Sequence, residues 1–432
     1  MKRRKIDGWP VKLAVLSIST ILVSAPSVNG ALPQMRDSLH VTQAQVEALS
    51  TMPNLTAVVF ILLSSFVAAK IGLKKTVTIG LVLTCLGGCM PVFISDYPLL
   101  VASRLVLGAG LGLFNSLAVS VISTLYHGYT RAGMLGIRNS TENIGQAVLT
   151  FVAGLLLDIG WHFTFLIYLL AIPLMFVFDI MVPDPQKVEE GKRKPPARIE
   201  KKAKDFARIE EETWASDNNS IQAGTQSEGK DRLHPIVYFL FVLCMILTMN
   251  GFAVLVRFPS IAVAIKGKTY NPSTLLSLMP ILGIIAGFLF GIVHQYLKSN
   301  TIYVGMILYA LVNLLLGFSS DNFAVLLVGL FLSGVPNAWC FPYIYNLLGE
   351  VCKTGKALNF ATALMLVGCN VGAFLAPYAM QVIQVLSGGG NLQVPFPIFA
   401  VLDLMLLAAL ALINRRMLGS AAKEPENVGD DN

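Results

Sequence analysis

Three charged side chains, Arg104, Glu142 and Asp403, stand inside long apolar stretches of this sequence. A charge in a helix that crosses a bilayer costs roughly 2.5 kcal/mol or more, so each of the three needs a partner or a task. Arg104 has the chemistry to stabilise a proton-carrying acid or an anionic solute. It can equally snorkel to the surface or bond the carbonyls of a neighbouring helix. Glu142 shares a helical line with Arg138 and Gln146, one turn to either side. It reads as a protonatable gate group or as half of a local Arg138–Glu142 pair. Asp403 has no basic residue in its own stretch. It is a candidate for proton coupling, or a group neutralised by a proton or by another helix.

Uncharged polar groups outnumber these charges. Asn115 continues the stripe of Gly108 and Gly112, a surface suited to close helix packing. Asn250 and Gly251 interrupt an apolar run, where a break can expose carbonyls to a cavity. From Asn337 to Asn346 runs a dense set of amides and aromatics, with Pro336 before it and Pro342 within it. Trp339, Tyr343 and Asn346 share one helical face, and Asn337, Phe341 and Tyr345 share the other. Such rings serve as packing, as interface anchors or as a lining for a ligand. The candidate substrate-binding set is Asn115, Gln146, Asn250, Asn337, Trp339, Tyr343 and Asn370. Its balance of amides and rings suits an amphipathic or weakly charged solute.

Enzyme chemistry finds little support. There is no Gly-rich phosphate loop followed by Lys-Ser/Thr and no nucleophile elbow. The six Cys contain no Cys-x-x-Cys pair, and the five His are scattered. No metal, cofactor or catalytic residue is expected.

The elements that must position these side chains are apolar. The 432 residues are 55% hydrophobic and only 13% charged, with mean hydropathy +0.67. A soluble domain carries about 25% charged residues. The solvent for most of this chain is therefore lipid. The net charge of +7 sets orientation and does not point to nucleic acid. Runs of about 20 apolar residues predict spans at 11–31, 44–69, 73–95, 98–126, 138–158 and 161–182, then at 234–256, 272–297, 301–319, 321–349, 358–386 and 394–414. The basic segment Met1–Lys12 and the run behind it are too long for a signal peptide and read as a retained first span.

Between the two sets lies a polar segment with eleven Lys/Arg and eleven Asp/Glu, too poor in apolar surface to form a core. Within it Ile199, Ala203, Phe206 and Trp214 fall near one helical face, suited to an anionic membrane surface or to a solvated helix or coil. The chain thus divides into a six-helix bundle at 1–183, a linker at 184–233, a second bundle at 234–418 and a disordered tail at 419–432. Of the 32 Lys/Arg, 27 fall on the side of the termini and linker, four (Arg36, Arg257, Lys266 and Lys268) on the other, and Arg104 within a span. That asymmetry puts both termini and the linker in the cytoplasm of a multi-pass plasma-membrane protein. The halves also echo each other: Arg131 and Asn143-Ile144-Gly145 match Lys356 and Asn370-Val371-Gly372 at offsets of 225 and 227. The expected fold is an all-α integral membrane protein, with 12 transmembrane helices in two six-helix bundles related by a parallel pseudo-repeat.

On these features the chain resembles the major facilitator superfamily over essentially its whole length. The family's loop after the second helix, Gly-x-x-x-Asp-Arg-x-Gly-Arg-Lys, corresponds to Ser65 through Lys74. Gly72 and the basic residues match, while Ser65 and Ala69 replace the family's Gly and Asp. Arg104, Gly108, Gly110 and Gly112 match the fourth-helix pattern of Arg and glycines. The fifth helix lacks the Gly-Pro of drug–proton antiporters at Leu149–Gly154. The resemblance implies a secondary active transporter that moves a small organic solute by alternating access, driven by protons, for export or uptake. It also implies a gating loop at Lys70, Gly72 and Lys74, and a proton-coupling role for Arg104, Glu142 or Asp403. The partners implied are a small-molecule substrate, protons and the lipid bilayer, around a monomer. An uncoupled facilitator, or a receptor or scaffold that keeps the fold without transporting, is the alternative reading.

Overall fold

The computed structural model describes residues 8–126, 128–184, 235–352 and 355–421. The linker reading and most of the tail lie outside these residues. Among the described residues every regular element is a helix. In the first half these are α1 (Trp9–Ser17), α2 (Leu32–Leu39), α3 (Gln43–Ile71), α4 (Leu73–Cys89), α5 (Tyr97–Leu125), α6 (Gly128–Leu157) and α7 (Ala171–Met181). The second half holds α8 (Pro235–Lys266), α9 (Ser273–Leu297), α10 (Thr301–Gly317), α11 (Phe323–Leu332), α12 (Gly334–Val351), α13 (Gly355–Leu386) and α14 (Pro395–Ala421).

Each of the expected spans holds helix, with differences that have physical causes. The first is broken: α1 and α2 are joined by 3-10 turns and bent by 44°. Pro26 and Pro33 sit in the first turns of the segments that follow the breaks, where a missing N–H costs least. The sixth starts as a 3-10 stretch, Trp161–Leu170, before α7. The tenth divides at Ser333 between α11 and α12. Among the described residues nine stretches are long and apolar enough to cross a bilayer, or ten with the bent pair. One of them, Ser273–Gly317, contains both α9 and α10. The helix α6 is long enough but carries Arg131, Arg138 and Glu142.

The largest departure concerns α8. Sequence ends the seventh span at 256 and assigns Arg257 to an outer loop. In the structure the helix continues to Lys266, through Arg257 and Pro259. Arg257 is fully buried because a carboxylate on α3 neutralises it.

The pseudo-repeat is visible in how glycines let backbones touch. A Cβ on Gly145 of α6 would run into the carbonyl of Thr20 in the first span. A Cβ on Gly372 of α13 would run into the carbonyl of Met245 in α8. Thr20 and Met245 are 225 residues apart, and Gly145 and Gly372 are 227 apart. The same contact is therefore built twice. Internal prolines repeat as well, with Pro53 in α3 and Pro280 in α9.

The halves are joined mainly through α3 with α13 and α6 with α9. Ala253, Val254, Val256, Phe258 and Ile261, on the later part of α8, pack into one buried cluster with first-half residues such as Leu32, Met35, Val46 and Leu49. The earlier part of α8, from Ile236 to Leu247, packs in a separate cluster made of second-half residues. The shared core thus lies at the end of the bundle away from the linker, called here the far end.

Candidate functional site

The far end is closed by a buried ion pair between the halves. Thr42 starts α3 with a capping box, accepting from the backbone N of Gln45 while its own N donates to Gln45 Oε1. That start places Gln43 and Glu47 on successive turns at the seam. Arg257 Nε donates to Glu47 Oε1 at 2.6 Å, and Nη2 to Oε2 at 3.1 Å. The fork is bidentate, and the side chains are 1% and 0% exposed. Removing one partner of such a pair costs about 3–5 kcal/mol, because the other charge stays buried.

Amides complete the set. Gln43 Nε2 donates to Glu47 Oε1 at 2.6 Å and to Ser260 Oγ at 2.8 Å, across the seam. Arg36 Nη1 donates to Gln43 Oε1 at 2.8 Å. On the other side, Arg257 Nη1 donates to Gln384 Oε1 at 3.0 Å and to the carbonyl of Leu392 at 3.3 Å. Asn271 Nδ2 adds links to the carbonyl of Gly154 at 2.8 Å and to Asp158 at 3.0 Å. At the surface Lys268 pairs with Asp37 at 3.2 Å.

A proline shapes the same seam. Pro259 has no N–H, so the carbonyl of Leu255, one turn earlier in α8, loses its helical donor. Asn29 Nδ2, from the first half, donates to that carbonyl at 3.2 Å. Asn29 Oδ1 in turn accepts from Ser50 of α3. An irregularity in one half is thereby satisfied by a side chain of the other.

Glu47 carried the signal that marked the other charges, since it lies inside an expected span. Its partner could not be read from sequence, because Arg257 is 210 positions away.

The proposed site residues fall into separate groups. In the first half Arg138 Nη2 lies 2.6 Å from Glu142 Oε1 and donates to Asn115 Oδ1 at 3.2 Å. Glu142 therefore has a local cation, and Asn115 ties α5 to α6. Gln146 follows Glu142 by one turn and is half-buried. Arg104 is buried at 3% exposure. It donates to the carbonyls of Gly87 and Gly88 at 3.1 and 3.2 Å and to Ser103 Oγ at 3.3 Å. The rings of Phe165 and Tyr168 lie 4.7 and 5.6 Å from its guanidinium carbon. Its geometry is that of a tie between α4, α5 and the sixth span.

In the second half three helices converge on Asp403 of α14, which is fully buried. Asn250 Nδ2 of α8 donates to Oδ1 at 2.8 Å, and Asn313 Nδ2 of α10 donates to Oδ2 at 2.9 Å. Asn313 Nδ2 also reaches Asn250 Oδ1 at 2.9 Å, so the three form a closed triangle. One residue on, Gly251 faces the amide of Asn337, whose oxygen accepts from Tyr309 at 2.5 Å. Asn250 and Asn337 thus stand on adjoining faces of one polar cluster that also includes Asn313 and Tyr309, neither expected from sequence. Trp339 donates from Nε1 to the carbonyl of Ala286 in α9 at 3.1 Å. Tyr343 sits edge-on to His294 at 6.0 Å. Asn370 turns back to the carbonyl of Leu366 in its own helix at 2.8 Å.

At the linker end Gly72 joins α3 to α4 at φ 96°, a region open to glycine. Lys74 donates to the carbonyls of Asp179 and Val182 at 2.5 and 2.9 Å, holding the end of α7. Lys70, Lys74 and Lys75 line a cleft of about 790 Å³ with Asp179 and Asp184. Among the described residues no group of His, Cys, Asp and Glu is placed to hold a metal ion.

Comparison with known proteins agrees with this architecture. A peptide transporter POT in complex with alafosfalin superposes with TM-score 0.71 at 12% identity, covering 95% of this chain and 96% of that one. A D-xylose-proton symporter gives TM-score 0.68 at 14% identity, covering 92% and 97%. Among curated proteins, the quinolone resistance protein NorB of Staphylococcus aureus (strain JH9) is 27% identical over 155 residues, 35% of this chain and 33% of that protein. The chain therefore matches about a third of that relative's length. The sequence pattern of the Major Facilitator Superfamily matches residues 14–302, which take in most of the first half and the start of the second. Two helical halves repeated in parallel, the matched stretch and the superposed structures agree, and the chain belongs to the Major Facilitator Superfamily.

Proposed function

We propose that the protein is a secondary active transporter that carries a small, amphipathic or weakly charged organic solute across the membrane by alternating access. The observation that carries this reading is the one-ended closure. Glu47–Arg257, Gln43–Ser260, Asn29–Leu255 and Asn271–Asp158 all join the halves at the far end, where the shared core also lies. A seal at one end of two repeated bundles is what one state of a rocking cycle requires. The amides and rings of the second half, with Gln146 and Asn115 of the first, supply the solute's contacts. The partial likeness to a quinolone resistance protein supports export of such a compound.

Protons supply the drive in this reading. Asp403 carries the proton, because it is a fully buried acid that, among the described residues, has amides and no cation as partners, so no ion pair holds it charged. Glu142, already paired with Arg138, acts nearer the linker end. The test is uptake into proteoliposomes under an imposed pH gradient, beside solute exchange at equal pH. In Asp403→Asn, gradient-driven accumulation falls at least tenfold while exchange survives, since exchange moves no net proton. Glu142→Gln is the companion variant. Full accumulation in both variants would remove both acids from the coupling step.

A further inference from the structure

We infer that Glu47 and Arg257 form the gate of the far end, and that the neighbouring amides hold the two charges when it opens. This inference rests on the transport reading. The argument begins with cost. A bidentate pair with both side chains at 1% exposure or less cannot separate into an apolar seam without leaving two buried charges. Each charge, however, has a second partner that stays in its own half. Glu47 keeps Gln43, one turn earlier in α3, and Gln43 is itself held by Arg36 of α2. Arg257 keeps Gln384 of α13 and the carbonyl of Leu392.

The seam therefore splits along a defined line. The cross-half hydrogen bonds break: Arg257–Glu47, Gln43–Ser260, Asn29–Leu255 and those from Asn271 to Gly154 and Asp158. The links within each half survive. Gln43 also has two donor hydrogens, one for Glu47 and one for Ser260, so losing Ser260 leaves its hold on Glu47 intact. The two closed-state helix pairs, α3 with α13 and α6 with α9, flank this line. The surface pair Lys268–Asp37 contributes little, because Lys268 is 86% exposed. The buried pair thus sets how far the closed state is favoured.

The experiment reads far-end access directly. Ser260→Cys places a thiol on the seam, in a background lacking the accessible native cysteines. An impermeant thiol reagent is applied from the far side to the protein in membranes. Glu47→Gln and Arg257→Gln each raise the labelling rate about tenfold or more, as expected for loss of one partner of a buried pair. The double variant labels no faster than either single one, because the pair acts as a unit. Unchanged labelling in both singles, or additive effects in the double, overturns the gate.

A second measurement covers variants that fail to fold. Gln43→Cys with Ser260→Cys, bridged by a short bifunctional thiol reagent, locks the seam and abolishes solute counterflow until a reductant releases it. Full counterflow in the bridged protein overturns the gate. The two readings separate cleanly. Changed labelling with no counterflow under any condition keeps the gate and removes transport, whereas counterflow with unchanged labelling keeps transport and removes the gate.

Discussion

Arg104 illustrates how a single side chain is decided by its neighbours. Sequence left it between a role in coupling and a tie to carbonyls. The structure brings it to the carbonyls of Gly87 and Gly88 and to two aromatic faces. Arginine's planar fork fits that set, and lysine's point charge does not. Arg104→Lys is expected to lower stability by about 2 kcal/mol while solute affinity stays unchanged. Thermal unfolding in detergent, read beside a binding titration, checks both halves of that statement. A large loss of affinity at unchanged stability would return Arg104 to the coupling step. Asp403 is the contrasting case: a lone acid in an apolar run gives notice of itself, but Asn313 and Tyr309 do not. Single amides and phenols in helices are too common to single out before their partners are placed.

At the scale of elements, the helices were legible because apolar runs of spanning length leave few choices. Their breaks were not. The first span reads as one run, yet 3-10 turns and a 44° bend between Ile21 and Ala25 break it. The seventh reads as ending at 256, with Arg257 placed outside it, yet helix continues for ten residues to Lys266. Buried pairing on α3 overrode the local signal. The repeat was legible in three residues and proves to be a packing rule. Gly145 and Gly372 admit the backbones of Thr20 and Met245. Gly145→Leu and Gly372→Leu are therefore each expected to destabilise by about 1–3 kcal/mol or more, to similar extents. Thermal unfolding of the two variants side by side tests the equivalence. A neutral result at one site and a severe one at the other would break it.

For the whole molecule, orientation rests on the distribution of basic residues, 27 to four. A cysteine placed at a polar position between 185 and 234, in a background without accessible native cysteines, is expected to resist impermeant thiol reagents in intact cells and to react after lysis. Ready labelling in intact cells would invert the molecule and exchange the two sides of the gate.

The proline in α8 has one more consequence. With the halves together, Asn29 serves the carbonyl that Pro259 orphans. With the halves apart, nothing in the helix can serve it, since the prolyl nitrogen bears no hydrogen. Water must then take Asn29's place, and must also reach Glu47 and Arg257 where they part. Opening the far end is thus an act of hydration as much as of movement. The equilibrium between closed and open states takes on a dependence on water activity, and a solute excluded from the seam, such as sucrose, holds the molecule shut.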